Sequence, residues 1–268
     1  MKKTTNTKLI LITGAYSGFG KDTAVALAKR GHNVIATTHT EKEAEDLSSF
    51  IKEQNLNIKT FKLDTTSKED REKVLGYDID VLVNNAGTGQ SGSLAEIPLD
   101  RMREDFETNV FSSFALSQLV LKKMIANDSG TVIFVSSMAG RIIMPFLGSY
   151  CMTKFALSAG AEAMRAELYK ITKNVHVSLI EPGAYHTGFN QENIAKKYTW
   201  MNESSYFYKM IDKIKKEEEE YFNFLESKST KSIINKFVRA CEARKPKLRY
   251  TAPLWQAFGV QMMRIFGR

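Results

Sequence analysis

The sequence predicts an α/β chain built on a doubly wound parallel sheet, and three observations carry that prediction. From about residue 8 to residue 190, short apolar β-branched runs alternate with longer stretches of helical periodicity. Most of the runs are apolar throughout, as strands covered by helices on both faces must be. The first run ends in the glycine-rich turn TGAYSGFG, which opens the first helical stretch. Right-handed crossovers turn such a chain into a Rossmann-type sheet, here of about seven strands with helices on both faces.

KLILIT, residues 8–13, is the first strand. Residues 18–30 follow as a helix with Val25, Leu27 and Ala28 on its apolar side. HNVIAT reads as a second buried strand, residues 41–53 as a charged helix, and NIKTFKLD as a third strand. TSKEDREKVLGYD has room only for a short helix before DIDVLVNNAG, the fourth strand. One long helix is expected over about residues 99–124, then TVIFVSS as the fifth strand. A second long helix over about 149–169 precedes NVHVSLIEPG, the sixth strand, and KLRYTA returns to the sheet edge as a seventh. The chain, residues 1–268, reads as one domain with a helical insertion at about 184–245. That insertion holds Tyr198, Trp200, Tyr206, Phe207, Tyr208, Tyr221, Phe222 and Phe224. These aromatics either pack within a small flap or line a pocket for a bulky apolar ligand. The run KIKKEEEE is a solvated helix face.

A length of 268 residues and a hydrophobic content of 43% supply ample material for a buried core. Two cysteines, Cys151 and Cys241, make no disulfide framework and suit a reducing cytoplasm. No window approaches the roughly 18–20 apolar residues of a membrane-spanning helix. The apolar core of MKKTTNTKLILIT is shorter than the roughly 7–15 residues of a signal-peptide core, and it reads as a strand. The net charge of +8 permits an acidic partner without naming one. Most of the excess lies in residues 231–268. That basic, amphipathic tail either packs on its own domain or a partner subunit, which is the favoured reading, or makes weak contact with an anionic membrane surface. No nucleic-acid-binding module is recognisable, so no nucleic-acid partner is expected. His32, His39, His176 and His186 do not cluster with the cysteines as zinc ligands would, and no catalytic metal is expected.

Two motifs carry chemistry. In TGAYSGFG, Gly14 allows a tight turn, Gly18 lets a ligand approach the backbone, and Gly20 lets the next helix pack closely. The helix that follows offers free N–H groups and positive dipole character to a pyrophosphate. In YCMTK, Tyr150 and Lys154 stand four apart on one helix face. A nearby ammonium favours the phenolate and lowers a tyrosine pKa by about 1–3 units. Such a phenol can donate or accept a proton. The strand TVIFVSS delivers Ser136 and Ser137 just upstream, with their side chains on opposite faces.

TGAYSGFG, LDTT, NNAG, Asn109, the Ser137–Tyr150–Lys154 set and EPGAYHT occur in the order and approximate spacing of the short-chain dehydrogenases/reductases. The resemblance spans about residues 8–190, and MPFLGSYCMTKFAL is most similar to the branch acting on hydroxysteroids, retinoids and similar lipophilic alcohols. It implies an oxidoreductase moving a hydride between a nicotinamide dinucleotide and an alcohol or carbonyl substrate. In that scheme Tyr150 is the general acid/base and Lys154 lowers its pKa and holds the nicotinamide ribose. Ser137, preferred over Ser136 by its spacing to the tyrosine, bonds the substrate oxygen. Asn109 orients a water that links Lys154 to solvent.

The resemblance also places Gly14, Ser17, Gly18, Phe19 and Gly20 around the cofactor phosphates, and Asp64 and Thr65 beside the adenine. Asn85, Ala86 and Gly87 flank the adenosine ribose, and Pro182, Gly183 and Thr187 hold the nicotinamide end. The second strand ends Ala36-Thr37-Thr38-His39-Thr40 without a carboxylate. Thr38 and His39 then favour NADP(H), with NAD(H) the alternative. A homodimer or homotetramer is expected through the two long helices. The rival function is a dinucleotide-binding sensor or scaffold without chemistry, which has no need of the serine, tyrosine and lysine together.

Overall fold

Each apolar run is short because it crosses the core once, and the fold follows from how those crossings are joined. The computed structural model describes residues 7–267. Its first half runs β1 (Leu9–Ile12), α1 (Gly18–Lys29), β2 (Asn33–Thr38), α2 (Glu41–Glu53), β3 (Ile58–Lys62), α3 (Lys68–Glu72) and β4 (Val81–Asn84). Next come α4 (Leu99–Phe106), α5 (Ser112–Ala126), β5 (Gly130–Val135), α6 (Gly148–Leu168) and β6 (Val175–Pro182). The chain closes with α7 (Phe189–Ala195), α8 (Ile211–Leu225), α9 (Lys231–Glu242), β7 (Arg249–Ala252) and α10 (Leu254–Ile265).

The seven strands form one parallel sheet in the order β3-β2-β1-β4-β5-β6-β7. Because side chains alternate along a strand, β1 sends Ile10 and Ile12 to one face and Leu11 to the other. The first face packs on α1 and α9 through Ala24, Leu27, Ile233 and Phe237. The second packs on α5 and α6 through Leu116, Val120, Leu157 and Ala161. Strand order reverses at β1, between β2 and β4, and the crevice at the carboxyl ends of such strands is where ligands bind in doubly wound sheets.

Two expectations need correction. The long helix over 99–124 is not continuous: a π-helical turn, Glu107–Phe111, separates α4 from α5. Such turns insert one extra residue and rotate the helix face, and they recur at functional sites. The helical segment 184–245 is not all insertion. α9 buries Ile233, Phe237 and Cys241 against the sheet as the crossover between β6 and β7, so only the part before it lies over the crevice. Among the described residues, no helix is long and apolar enough to cross a membrane.

Candidate active site

The crevice begins at the glycine loop. Gly14 and Gly18 have φ of +62° and +53°, the left-handed region that glycine enters freely. A Cβ on Gly14 would fall 2.7 Å from the Ala86 Cα, and one on Gly20 only 2.5 Å from the Gly14 carbonyl oxygen. Asn85 closes the turn by donating through Nδ2 to the Thr13 and Gly14 carbonyls, both at 2.9 Å. The Thr13 hydroxyl accepts from the backbone N–H groups of Asn85 and Ala86, each at 3.0 Å. The ends of β1 and β4 are thereby locked together. Ser17 starts α1 with an extended backbone and no side-chain cap, and the first turn holds no acidic residue. Its N–H groups and dipole are left for an anion. A dinucleotide pyrophosphate fits this loop, in which side chains are excluded at Gly14 and Gly20 and the donors are uncapped.

One cavity of about 460 Å³ runs from this loop to the proposed reacting groups. Gly14, Ser17, Gly18 and Phe19 line one end, with Asn85 and Gly87 beside them. Ser137, Tyr150, Lys154, Pro182, Gly183 and Thr187 line its middle. The Thr187 Cβ stands 3.6 Å from where Gly18 would carry a Cβ, so the strand-six loop closes over the phosphate loop. Gly20 and Ala86 do not line the cavity and shape the loop from beneath.

Thr38, His39, Asp64 and Thr65 also lie outside the cavity lining, at the carboxyl ends of β2 and β3. His39 Nδ1 is 3.8 Å from Asp64 Oδ1, and Thr38 Oγ1 donates to the Thr40 carbonyl at 3.0 Å. The sequence shows no carboxylate where β2 ends, yet the fold brings one there. Glu43, in the first turn of α2, accepts from the N–H groups of His39 at 2.9 Å and Thr40 at 3.0 Å. It completes a capping box with Thr40, a motif legible in the spacing T-x-x-E.

Strand alternation turns the two serines to different partners. Ser136 is buried and turned toward α6, donating to the Lys154 carbonyl at 3.1 Å and sharing a 2.8 Å bond with the Ser158 hydroxyl. Ser137 sits at the cavity, accepting from the Ala139 N–H at 3.0 Å. Tyr150 is half-buried, its ring 6.0 Å from that of Phe189, with Gly89 so close that a Cβ there would be 3.1 Å from Tyr150 Cδ2. Lys154 is buried, and its ammonium donates to the Val135 carbonyl at 2.9 Å.

The expected lowering of the phenol's pKa by Lys154 competes here with burial of both groups. Lys154 Nζ is 5.5 Å from the ring centroid. Burial pushes the Tyr150 phenol well up, and the Ser137 hydroxyl pulls it only partly back. Burial likewise pushes the Lys154 ammonium down to about 8, with the Asp105 carboxylate pulling the other way. A dry pocket penalises both charges, and the ammonium's hydrogen bond goes to a carbonyl.

Asn109 is buried at the π turn, and its amide is fully engaged. Oδ1 accepts from the Thr88 N–H at 2.8 Å, and Nδ2 donates to the Thr88 carbonyl at 2.8 Å and to Thr153 Oγ1 at 3.0 Å. This clamps the loop after β4, and Asn109 Oδ1 and Lys154 Nζ lie 3.1 and 3.6 Å from where Gly87 would carry a Cβ.

Three residues escaped the sequence reading. Asn193 Oδ1 accepts from the Gly89 N–H at 3.0 Å and so holds the strip of backbone beside Tyr150. Gln256, on α10, accepts from the Ala184 N–H at 2.8 Å and donates to the Leu225 carbonyl at 2.8 Å. Neither has a local signal, because their partners lie 104, 72 and 31 residues away. Asp105 is fully buried beneath Ser149, and only its spacing of four from Asn109 marks it. The far end of the cavity is apolar, with Met138, Leu147, Phe222, Leu225, Trp255 and Val260 among its walls. Of the aromatics flagged in the insertion, Tyr221 and Phe222 reach it. Cys151, buried beside Tyr150, is an unpaired thiol that burial pushes up in pKa. Among the described residues, no three His, Cys, Asp or Glu side chains gather as a metal site.

The sequence model for the family described as short chain dehydrogenase matches residues 8–198. A 3-ketodihydrosphingosine reductase of Bacteroides thetaiotaomicron is 31% identical, over 79% of this chain and 77% of its own. Human retinol dehydrogenase 8 is 33% identical, over 70% of this chain and 62% of its own. The crystal structure of a short-chain dehydrogenase from Streptomyces avermitilis superposes with a TM-score of 0.76 at 25% identity, covering 97% of this chain and 93% of that one.

Proposed function

The chain belongs to the short chain dehydrogenase family of oxidoreductases, and on that premise we propose that it interconverts a bulky, apolar alcohol and its carbonyl compound with Tyr150 as general acid/base. The observation that supports this best is the single cavity that has the glycine loop at one end and apolar walls at the other, with Ser137, Tyr150 and Lys154 between them. A bound nicotinamide dinucleotide supplies the two-electron hydride donor or acceptor. Tyr150 takes the substrate's hydroxyl proton at its phenolic oxygen in oxidation and returns it in reduction. Ser137 donates to the substrate oxygen where charge develops. Lys154 as an ammonium stabilises the phenolate through their shared pocket and holds ribose hydroxyls. Asn109 keeps the loop at Thr88 in place. Segment 184–230 serves as a lid whose apolar side selects lipophilic substrates, in line with what the two relatives are named for.

NADP(H) is the cofactor we assign over NAD(H), because β2 ends in Thr38 and an exposed His39 with no acid of its own. The Glu43 carboxylate opposes this preference and makes it testable. We place the protein in the cytoplasm, where its two unpaired thiols stay reduced. A second copy of the chain covers Leu99, at the start of α4, and Phe111, at the end of the π turn, which are 62% and 59% exposed; a monomeric mass at micromolar concentration would refute that. The outward side of α10, with Leu254 and Phe258 and with Phe266 just beyond its end, makes weak contact with anionic lipid, which vesicle sedimentation of Phe258→Ser against the parent would test.

The central test is a panel of long-chain ketones, steroids and retinoids with Tyr150→Phe as control. Turnover should vanish in the variant while dinucleotide binding, read by fluorescence, stays. Near-normal hydride transfer by Tyr150→Phe overturns the assignment. Dinucleotide binding without turnover of any compound by the parent favours a sensor.

A further inference from the structure

The backbone strip that follows β4, residues 88–92, touches both the proposed lid and the helix that carries Tyr150. On the α6 side, the place where Gly89 would carry a Cβ is 3.1 Å from Tyr150 Cδ2. The Gly92 N–H donates to the Phe146 carbonyl at 2.8 Å, just ahead of α6. Asn109 holds the Thr88 backbone and donates to the Thr153 hydroxyl, which in turn donates to the Tyr150 carbonyl at 2.8 Å. On the lid side, the Ser91 hydroxyl donates to the Asn193 carbonyl at 2.7 Å and accepts from the Lys197 N–H at 3.1 Å. The Trp200 ring lies so close to Gly92 that a Cβ there would overlap it.

Asn193, buried on α7, meets this strip at the point where the strip meets the Tyr150 ring. Its Oδ1 accepts from the Gly89 N–H at 3.0 Å and from the Lys196 ammonium at 2.8 Å, and its Nδ2 donates to the Phe189 carbonyl at 2.6 Å. A backbone N–H needs an oxygen and a carbonyl needs a donor, so these partners fix which way the amide points. The Lys196 ammonium also donates to the Thr88 hydroxyl at 3.1 Å, so Thr88 is gripped by Asn109 from the π turn and by Lys196 from the lid. Phe189, whose carbonyl Asn193 holds, sets its own ring 6.0 Å from that of Tyr150. The Cβ position of Gly89 is 3.4 Å from Asn193 Cγ as well as 3.1 Å from Tyr150 Cδ2. One thickness of glycine backbone is therefore all that separates the amide from the phenol ring.

We propose that Asn193 is a positioning residue for the reaction assigned above: through the Gly89 N–H it holds the strip against the Tyr150 ring, so that the seating of the lid sets the place of the phenol. Its kinetic consequence rests on the acid/base reading of Tyr150, whereas the placement of the ring concerns this chain alone. A proton is transferred only within hydrogen-bond reach of the substrate oxygen. A ring displaced by a fraction of an ångström therefore costs turnover, while the apolar walls and the glycine loop still bind their ligands. Asn193 also lines the cavity. If contact with substrate were its role, its loss would be felt in KM. If it only braced α7, the loss would follow the Phe189 bond and not the Gly89 bond.

Three substitutions separate these roles. Asn193→Ala removes both bonds. Asn193→Asp keeps an oxygen for the Gly89 N–H and for Lys196 but loses the donor to Phe189. Asn193→Ser keeps a hydroxyl that can turn back to the Phe189 carbonyl, four residues earlier, and is too short for Gly89. The test reads the Tyr150 ring signal by NMR in full-length protein labelled at the tyrosine ring carbons and assigned through Tyr150→Phe. Alongside it, kcat and KM are measured with the panel ketone that the parent turns over fastest. In Asn193→Ala and Asn193→Ser we expect the Tyr150 signal to move by more than its linewidth. In both, kcat should fall about tenfold with KM within about twofold of the parent's. Asn193→Asp should keep the signal in place and kcat within about threefold. A Tyr150 signal that stays put in folded Asn193→Ala and Asn193→Ser, damage in Asn193→Asp equal to that in Asn193→Ala, or a loss confined to KM overturns the proposal. If Asn193→Ala does not fold, the contrast between Asn193→Ser and Asn193→Asp decides it by the same readings. Should no ketone be turned over, or should Tyr150→Phe keep its turnover, the acid/base reading fails, and the ring signal still decides this one.

Discussion

The glycine loop and the segment proposed as a lid, residues 184–230, face each other across one cavity, and they are held by different physics. At the loop the backbone itself makes the fit. A Cβ at Gly20 meets a carbonyl oxygen at 2.5 Å, and the closing bonds from Asn85 go to backbone carbonyls of β1's end. At the lid, long side chains reach across the sequence. Gln256 ties α10 to Ala184 and Leu225, and Glu226 gathers His186, Asn190 and Gln191. Lys197 pairs with Glu218 at 2.6 Å inside the lid. A surface fixed by backbone packing admits few residues at each position and presents a rigid, generic anion site. One fixed by side-chain bridges can be redrawn by a handful of substitutions, which is what substrate choice requires.

The sharpest break of this contrast is Gly20→Ala. Overpacking against backbone finds no flexible neighbour to move, so we expect about 3 kcal/mol of lost stability in urea unfolding. Dinucleotide affinity should fall more than tenfold in the same protein. Gly188, in the lid loop, has nothing within 4 Å of its Cβ position, though its φ of +86° strains any side chain. Gly188→Ala is therefore expected to lose about 1 kcal/mol and to keep dinucleotide binding. Equal damage at both glycines would dissolve the distinction.

Next in size is Gln256→Ala. It leaves the part-buried Ala184 N–H and Leu225 carbonyl without their partner, a loss of about 1 kcal/mol. Because those groups belong to the lid, KM for an apolar substrate should rise several-fold while the dinucleotide Kd stays. A change in Kd as large as that in KM would show the two regions to be one unit.

These two positions also show what was legible in the sequence. Gly14, Gly18 and Gly20 announce themselves, because a β-run ending in glycines before a helix has few other uses. Spacing puts Tyr150 and Lys154 on one helix face, and strand alternation separates Ser136 from Ser137, but the preference for Ser137 needs the family spacing to the tyrosine. Gln256 and Asn193 could not be found, since a bond to a partner 72 or 104 residues distant leaves no local pattern. The break between α4 and α5 was hidden for another reason: a π turn adds one residue to a continuous helical pattern without a proline or glycine to mark it. The phenol's raised pKa depends on burial, which spacing does not contain.

The rim of the loop region has its own charge-based support, and pH separates it from the rest. Burial pushes the Asp70 carboxyl up, but Lys73 at 2.7 Å, the Asp64 N–H at 2.9 Å and Lys62 at 3.0 Å outweigh it and hold it at about 2. A folded-state pKa below the unfolded 3.8 adds stability above about pH 4 that disappears as pH falls toward 2. The shift corresponds to roughly 2 kcal/mol. Asp70→Asn should therefore lose about that much at pH 7 and show a flatter stability profile between pH 4 and 2, by urea unfolding at each pH. A parallel offset at every pH would assign the loss to packing.

The smallest effect bears on the cofactor rim. The N–H groups of His39 and Thr40 follow β2, and both are held by the Glu43 carboxylate. A ribose phosphate arriving there meets that negative charge, while ribose hydroxyls can donate to it. Glu43→Gln keeps an acceptor oxygen for the capping box and removes the charge, so α2 should lose only a few tenths of a kcal/mol through the dipole. The ratio of kcat/KM for NADPH over NADH should rise a few-fold, about 1 kcal/mol or less for a solvent-exposed charge, and the rise should shrink at high salt. A ratio that does not move would mean the rim reads the cofactor through His39 and Thr38 alone. A ratio that falls would mean Glu43 supports the phosphate site by holding the turn in shape. In that case even the loop region, at its outermost edge, is tuned by a side chain in the way the lid is.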